Sequence, residues 1–183
     1  MNEKSQGWLA TLFSWGKKHQ TSESEKLYAA AIAVARRPVF YRDFGVQDSV
    51  DGRFDALSLV VILVMRQLKN CGDAGKEISQ QLFDSMFADM DLSLREMGAG
   101  DIGVSKRVRI MAEAFMGRLE AYVTALDSDD PAALAAALQR NLFRGNKAID
   151  PLTNGSVDYV FALAKEITNL EADFLLAGHL DLS

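Results

Sequence analysis

The chain has 183 residues, 49% of them hydrophobic and 25% charged, with a net charge of −5, the balance of one globular domain and not of a disordered chain or of two independent units. The negative charge argues against a basic face that binds nucleic acid, and the lone Cys71 excludes an internal disulfide. The longest apolar run, residues 57–65 broken only by Ser58, falls short of the roughly 20 residues that cross a bilayer.

The first residues, MNEKSQGWLATLFSWGKKHQ, carry neither a secretory h-region with its cleavage site nor an Arg-rich transit pattern, so a cytoplasmic protein is expected. Wound as a helix, Trp8, Leu12 and Trp15 share a face, with Phe13 beside them and Lys17 and Lys18 following. Tryptophan next to lysine suits a bilayer interface, so Trp8, Leu12, Phe13, Trp15, Lys17 and Lys18 are candidate membrane contacts, placing the protein peripherally on the cytoplasmic face of the inner membrane. Gly7 and Gly16 leave the alternative of a frayed end or a flap packed on the domain. The expected division is a flexible or amphipathic segment over 1–21 and a helical domain over 22–183.

That domain opens at Ser22, where S-E-S-E forms a capping box and Leu27, Ala30, Ala31 and Val34 recur at helical spacing. The helix should stop near Arg37, before Pro38. Phe40, Tyr41 and Phe44 make 38–50 a compact connection wedged into the core. Asp51 is the expected cap of the next helix, apolar on nearly every side through Leu68 and so the most buried element. A turn over 71–75 precedes a helix over 76–97, whose apolar face takes in Leu82, Phe83, Met86, Phe87, Met90, Leu94 and Met97. Gly98, Gly100 and Gly103 end it. From 104 to 127 a narrow stripe of Val104, Val108, Met111, Phe115, Leu119, Tyr122 and Leu126 predicts the most regular helix. Asp130 and Pro131 start a short Ala-rich helix reaching Phe143. Ser156 should cap a last helix with its stripe on Val160, Leu163, Ile167, Leu170 and Phe174. No segment alternates with period two, so the fold class is all-α, a single-domain irregular bundle of about six helices.

Two histidines and one cysteine cannot assemble a zinc site, and no phosphate-cradling or nucleophile-elbow motif is present. No enzyme and no cofactor is expected, haem included. Cys71, without a histidine as base, reads as a small hydrophobe. The unusual stretch is 89–109, where Asp89, Asp91, Arg95, Glu96, Asp101, Lys106 and Arg107 crowd around three glycines. These seven are the candidate partner-binding residues. Asp91 and Arg95 can pair at i, i+4, while Lys106, Arg109 and Glu113 project opposite the apolar stripe. Arg107 and Arg118 border that stripe, should be half buried, and would take Asp89 or Glu96 as acceptor across the glycine turn. An internal clamp and a direct partner contact are both compatible with this pattern. Met86, Met90, Met97, Met111 and Met116 on the two central helices fit either core filling or a groove for a hydrophobic client.

Over residues 27–143 the chain resembles the ubiquinol-cytochrome c chaperone family, the cytochrome bc1 complex assembly factors. The resemblance rests on V-D-G-R-F-D at Val50 to Asp55, on the run 87–103 with R-E-M-G at Arg95 to Gly98, and on Lys106-Arg107 leading into Ala114-Phe115. It departs at Met116, where the family often has an aromatic, and near Val60, where a histidine is common. The likeness implies a helical, non-enzymatic chaperone whose partners are cytochrome b or another bc1 subunit, together with a small partner protein or the ribosome, and without direct nucleic-acid binding. The chain's shortness points to a bacterial member. The alternative is a helical binding module for an apolar ligand such as a quinone or lipid.

Overall fold

The computed structural model describes residues 22–98 and 100–182, so the candidate membrane contacts Trp8, Leu12, Phe13, Trp15, Lys17 and Lys18 lie outside the described residues. It contains α1 (Glu23–Ala35), a π-helical turn (Val39–Asp43), α2 (Val50–Leu68), a 3-10 turn (Lys69–Cys71), α3 (Gly72–Glu96), α4 (Asp101–Asp127), α5 (Pro131–Asn141), α6 (Ser156–Thr168) and the single-turn α7 (Ala172–Leu176). Among the described residues there is no strand. The fold is the expected all-α bundle.

Local chemistry accounts for most boundaries. The capping box closes as read: Glu25 N donates to Ser22 Oγ at 3.2 Å and Ser22 N to the Glu25 carboxylate at 3.0 Å. Asp130 accepts from Ala132 N and Ala133 N, both at 3.0 Å, with Pro131 in the first helical position. Two expected caps are corrected. Ser49, not Asp51, caps α2 by accepting from Gly52 N at 3.1 Å, which leaves Asp51 in the first turn with its carboxylate free for long-range pairing. Ser156 is the first residue of α6 and is buried; Gly155, with φ +80°, is the cap, and Asn154 Oδ1 accepts from Ser156 N at 3.0 Å.

The expected glycine breaks are also fewer. Residues 71–75 are not a loop, because α3 starts at Gly72 and packs so closely on α2 that a Cβ on Gly75 would sit 2.0 Å from the Leu68 carbonyl oxygen. Gly103 lies inside the first turn of α4, which begins at Asp101, so of the three glycines only Gly98 takes the left-handed conformation, at φ +84°. α6 stops at Thr168, leaving Leu170 and Phe174 beyond its stripe, and Leu175 of α7 is the residue buried there.

α2 is the axis of the bundle. Thirteen of its 19 residues are buried, and α1, α3, α4, α6 and α7 all pack against it, as its all-round apolar sequence requires. The π-helical turn inserts Phe40 and Phe44 against Tyr159 of α6, with edge-to-face centroid distances of 5.5 and 5.4 Å. A second cluster joins α2, α3 and α4: Phe83 lies 4.6 Å from Phe87 and 5.5 Å from Phe115, and Phe54 lies 6.1 Å from Phe87. Each such pair contributes about 0.5–1.5 kcal/mol beyond its area. Phe83 is only half buried, so this cluster continues out to the surface.

Candidate protein-binding site

Where Phe83 surfaces, the last turns of α2, the first half of α3 and the second half of α4 diverge into a groove of about 730 Å³. Its floor is Met65, Phe83, Met116, Leu119 and Val123. On α4 the three floor residues fall at i, i+3 and i+7, one face of a helix, and Met116 is 53% exposed. The rim is charged: Lys69 and Lys76 on one side, Glu120 and Asp127 on the other. One end is closed by hydrogen bonds, with Arg66 Nε donating to Asp127 at 2.7 Å and Gln67 Nε2 to the Thr168 carbonyl at 3.2 Å. An apolar trough with polar walls is suited to one face of a helix or to an acyl or prenyl chain. The methionines thus divide: Met86, Met90 and Met111 fill the core, Met65 and Met116 line the groove, and Met97, expected on the buried face of α3, is 55% exposed.

The seven candidate partner-binding residues do not form one cluster. Arg95 bridges the α3–α4 turn: its Nε donates to Asp91 Oδ2 at 2.5 Å and its Nη1 to Asp101 Oδ1. These two carboxylates, Asp91 first, hold the guanidinium above its ordinary pKa. Glu96 and Lys106 are exposed beside this bridge, and so are the apolar Leu92 at 55% and Ile102 at 89%. Arg109 and Glu113 pair at 3.4 Å on the outward face of α4, as the projection predicted. Asp89 belongs elsewhere, accepting from Tyr28 Oη at 3.0 Å across α1 and α3.

Neither arginine bordering the α4 stripe uses Asp89 or Glu96. Both reach α2 instead. Arg118 Nη2 donates to Asp55 Oδ1 at 2.6 Å with its guanidinium carbon 5.4 Å from the Phe54 ring centre, while Arg107 Nη2 donates to Asp51 Oδ1 at 2.8 Å. Arg144, after α5, joins both carboxylates, with Nε 2.6 Å from Asp55 Oδ2 and Nη1 3.4 Å from Asp51 Oδ2, and takes φ +52° to do so. Arg118 is buried, but Arg107 remains about half exposed. Burial pushes the Asp55 carboxyl above its ordinary pKa against the pull of Arg144 and Arg118. The signal in the sequence was Asp55 itself, a charge inside an apolar run.

Comparison with known proteins agrees with this architecture. The ubiquinol-cytochrome C chaperone family matches over residues 42–182, which takes in the groove, the Arg95 bridge and the α2–α4 ion pairs. Ubiquinol-cytochrome-c reductase complex assembly factor 1 of Xenopus laevis is 28% identical over 156 residues, covering 84% of this chain and 76% of its own. The crystal structure of the Cbp3 homolog from Brucella abortus aligns with a TM-score of 0.79 at 34% identity over 96% of both chains. On a family match spanning well over half of its length, the chain belongs to the ubiquinol-cytochrome c chaperone family.

Proposed function

We propose that this protein is a non-enzymatic assembly chaperone of the cytochrome bc1 complex that holds an apolar helix of a membrane subunit, cytochrome b, before the subunit joins the complex. The observation that carries this reading is the open trough floored by Met65, Phe83, Met116, Leu119 and Val123. A transmembrane helix outside the bilayer exposes an apolar face that must be covered, and burial contributes roughly 25 cal/mol per Å². Flexible methionine side chains let one trough fit a client of irregular shape. The name of the Xenopus laevis relative supplies the complex.

Asp91, Arg95, Asp101 and Lys106, flanked by exposed Leu92 and Ile102, form a second surface for a partner protein at the α3–α4 turn, away from the groove along the same two helices. Among the described residues no helix is long and apolar enough to cross a membrane. The proposed place of action, the cytoplasmic face of the inner membrane, rests on the pairing of tryptophan with lysine in the sequence of residues 8–18. Deleting the gene and measuring assembled, haem-loaded bc1 tests the assignment. Loss of the complex supports it, and normal levels contradict it.

A second reading is favoured by the groove's size. Its volume of about 730 Å³ falls within the roughly 300–1,000 Å³ of small-molecule sites, so the trough also suits a quinone or lipid. Native mass spectrometry of the purified protein separates the two, since only this reading predicts a copurified apolar ligand.

A further inference from the structure

The groove is long enough for only part of a membrane-spanning helix, and its two walls carry opposite charge. α3 and α4 form a hairpin, with Phe83 5.5 Å from Phe115, and the groove opens where they part. Its lining on α4 runs from Met116 to Asp127, which at about 1.5 Å per residue is roughly 16 Å. That length matches about three turns of a bound helix, half of the roughly 30 Å hydrocarbon core.

We propose that the groove takes up an amphipathic helical segment of about three turns, whose apolar stripe is flanked by acidic residues on one edge and basic residues on the other. The inference rests on the client-holding reading above and narrows it. The client is gripped where its helix carries charge, not in the middle of a membrane span.

The walls select this occupant. Lys69 and Lys76 stand on the side of α2 and α3, Glu120 and Asp127 on the side of α4. Among the described residues Lys69 and Glu120 make no ion pair, and Lys76 pairs with Asp73, itself 97% exposed. Arg66 occupies Asp127 at the closed end. Two cations on one wall and an anion on the other therefore remain available to a ligand. A wholly apolar helix would strip water from these groups and return nothing, whereas complementary flanks meet each of them with an opposite charge. An acyl chain or a quinone ring offers no charge along either wall. The floor agrees with a helical occupant, because Met116, Leu119 and Val123 repeat at i, i+3 and i+7 and a stripe of the same pitch interdigitates with them.

The experiment measures binding of labelled alanine-based peptides to the full-length protein by fluorescence anisotropy. All carry the same leucine stripe at i, i+3, i+4 and i+7 and are about 18 residues long, enough to be helical. They differ only in their flanks: glutamate on one and lysine on the other, glutamate on both, lysine on both, or glutamine on both. Exchanging the two flanks merely turns a helix end for end, so the uniform flanks are the informative controls. The proposal predicts that the mixed peptide binds about three- to tenfold tighter than the other three at low salt, an advantage that shrinks at high salt. With Lys69→Glu and Lys76→Glu combined, the lysine-flanked peptide becomes the tightest; with Glu120→Lys, the glutamate-flanked one does. All three positions are exposed, and circular dichroism confirms that the variants fold. Because this exchange of preference is read on the same peptides, differences in their own helicity cancel.

Equal affinities for the four peptides overturn the proposal, as does a preference that the substitutions leave unchanged. So does a dimer that Met116→Glu separates, which would make a second copy the occupant. Equal affinities that Met116→Glu abolishes overturn this inference alone, since the groove then still takes an apolar helix. Binding of none of the peptides removes the client-holding reading with it.

Discussion

Arg118 Nη2 donates to Asp55 Oδ1 at 2.6 Å, at a point where Asp55 has no exposed surface, so a charge pair inside the core joins α2 to α4. Truncating Arg118 would leave the buried carboxylate with Arg144 alone. Arg118→Ala should cost about 3–5 kcal/mol. The pair Arg107–Asp51 is 50% and 39% exposed, and Arg107→Ala should cost no more than about 1 kcal/mol. Urea denaturation of both variants checks this ordering. Equal losses would contradict the assignment of the structural role to Arg118.

The same carboxylate makes stability depend on pH. Burial raises the Asp55 pKa above its ordinary 3.8, so the folded chain binds this proton more tightly than the unfolded chain does. The associated stability is complete below the unfolded value and is lost as pH rises through the folded one. The stability of the parent minus that of Asp55→Asn should therefore fall as pH is raised from the ordinary carboxylate range through the higher folded value. Urea titrations at stepped pH measure it. A difference that grows over this window would mean that the two arginines outweigh burial.

Close helix packing predicts opposite effects at two glycines. A Cβ on Gly75 would meet the Leu68 carbonyl oxygen at 2.0 Å, and because backbone cannot swing aside, Gly75→Ala should destabilise by about 1–3 kcal/mol. Gly117, in the middle of α4, has nothing within 4 Å of the same position. Gly117→Ala should stabilise by about 0.5–1 kcal/mol. Thermal unfolding of the two variants decides the matter.

At the α3–α4 turn the ion pairs are exposed and hold little folding energy. Arg95→Ala and Lys106→Ala should leave the melting temperature nearly unchanged while weakening capture of a partner protein from native membranes. Affinity capture alongside calorimetry tests this, and a large drop in melting temperature for Arg95→Ala would make the bridge structural.

Elements governed by local chemistry were legible in the sequence. Ser22 and Asp130 announce their helices because a cap is a contact between residues two or three apart, and the stripe from Val104 to Leu126 appears because burial of one helix face imposes its period. What was misread depends on distant neighbours. Asp51 looks like a cap until Arg107 and Arg144 are brought beside it, and Arg118 looks half buried until α2 covers it. Gly103 looks like a helix stop because nothing nearby records that α4 begins at Asp101. The groove was the least legible feature. Met116 and Leu119 have the spacing of a core stripe, and a trough is the absence of an expected neighbour, which no periodicity encodes. The departure from the family pattern at Met116 marked the position without revealing that it faces solvent.

The most direct test of the chaperone assignment is site-specific photocrosslinking in cells that assemble bc1, with the reactive group placed at Met116 in the groove and, separately, at exposed Leu152 on the loop before α6. The account predicts a cross-link from position 116 to cytochrome b, strongest while the complex is being made, and none from position 152. Cross-links of equal strength from both positions, or none from the groove, would contradict it.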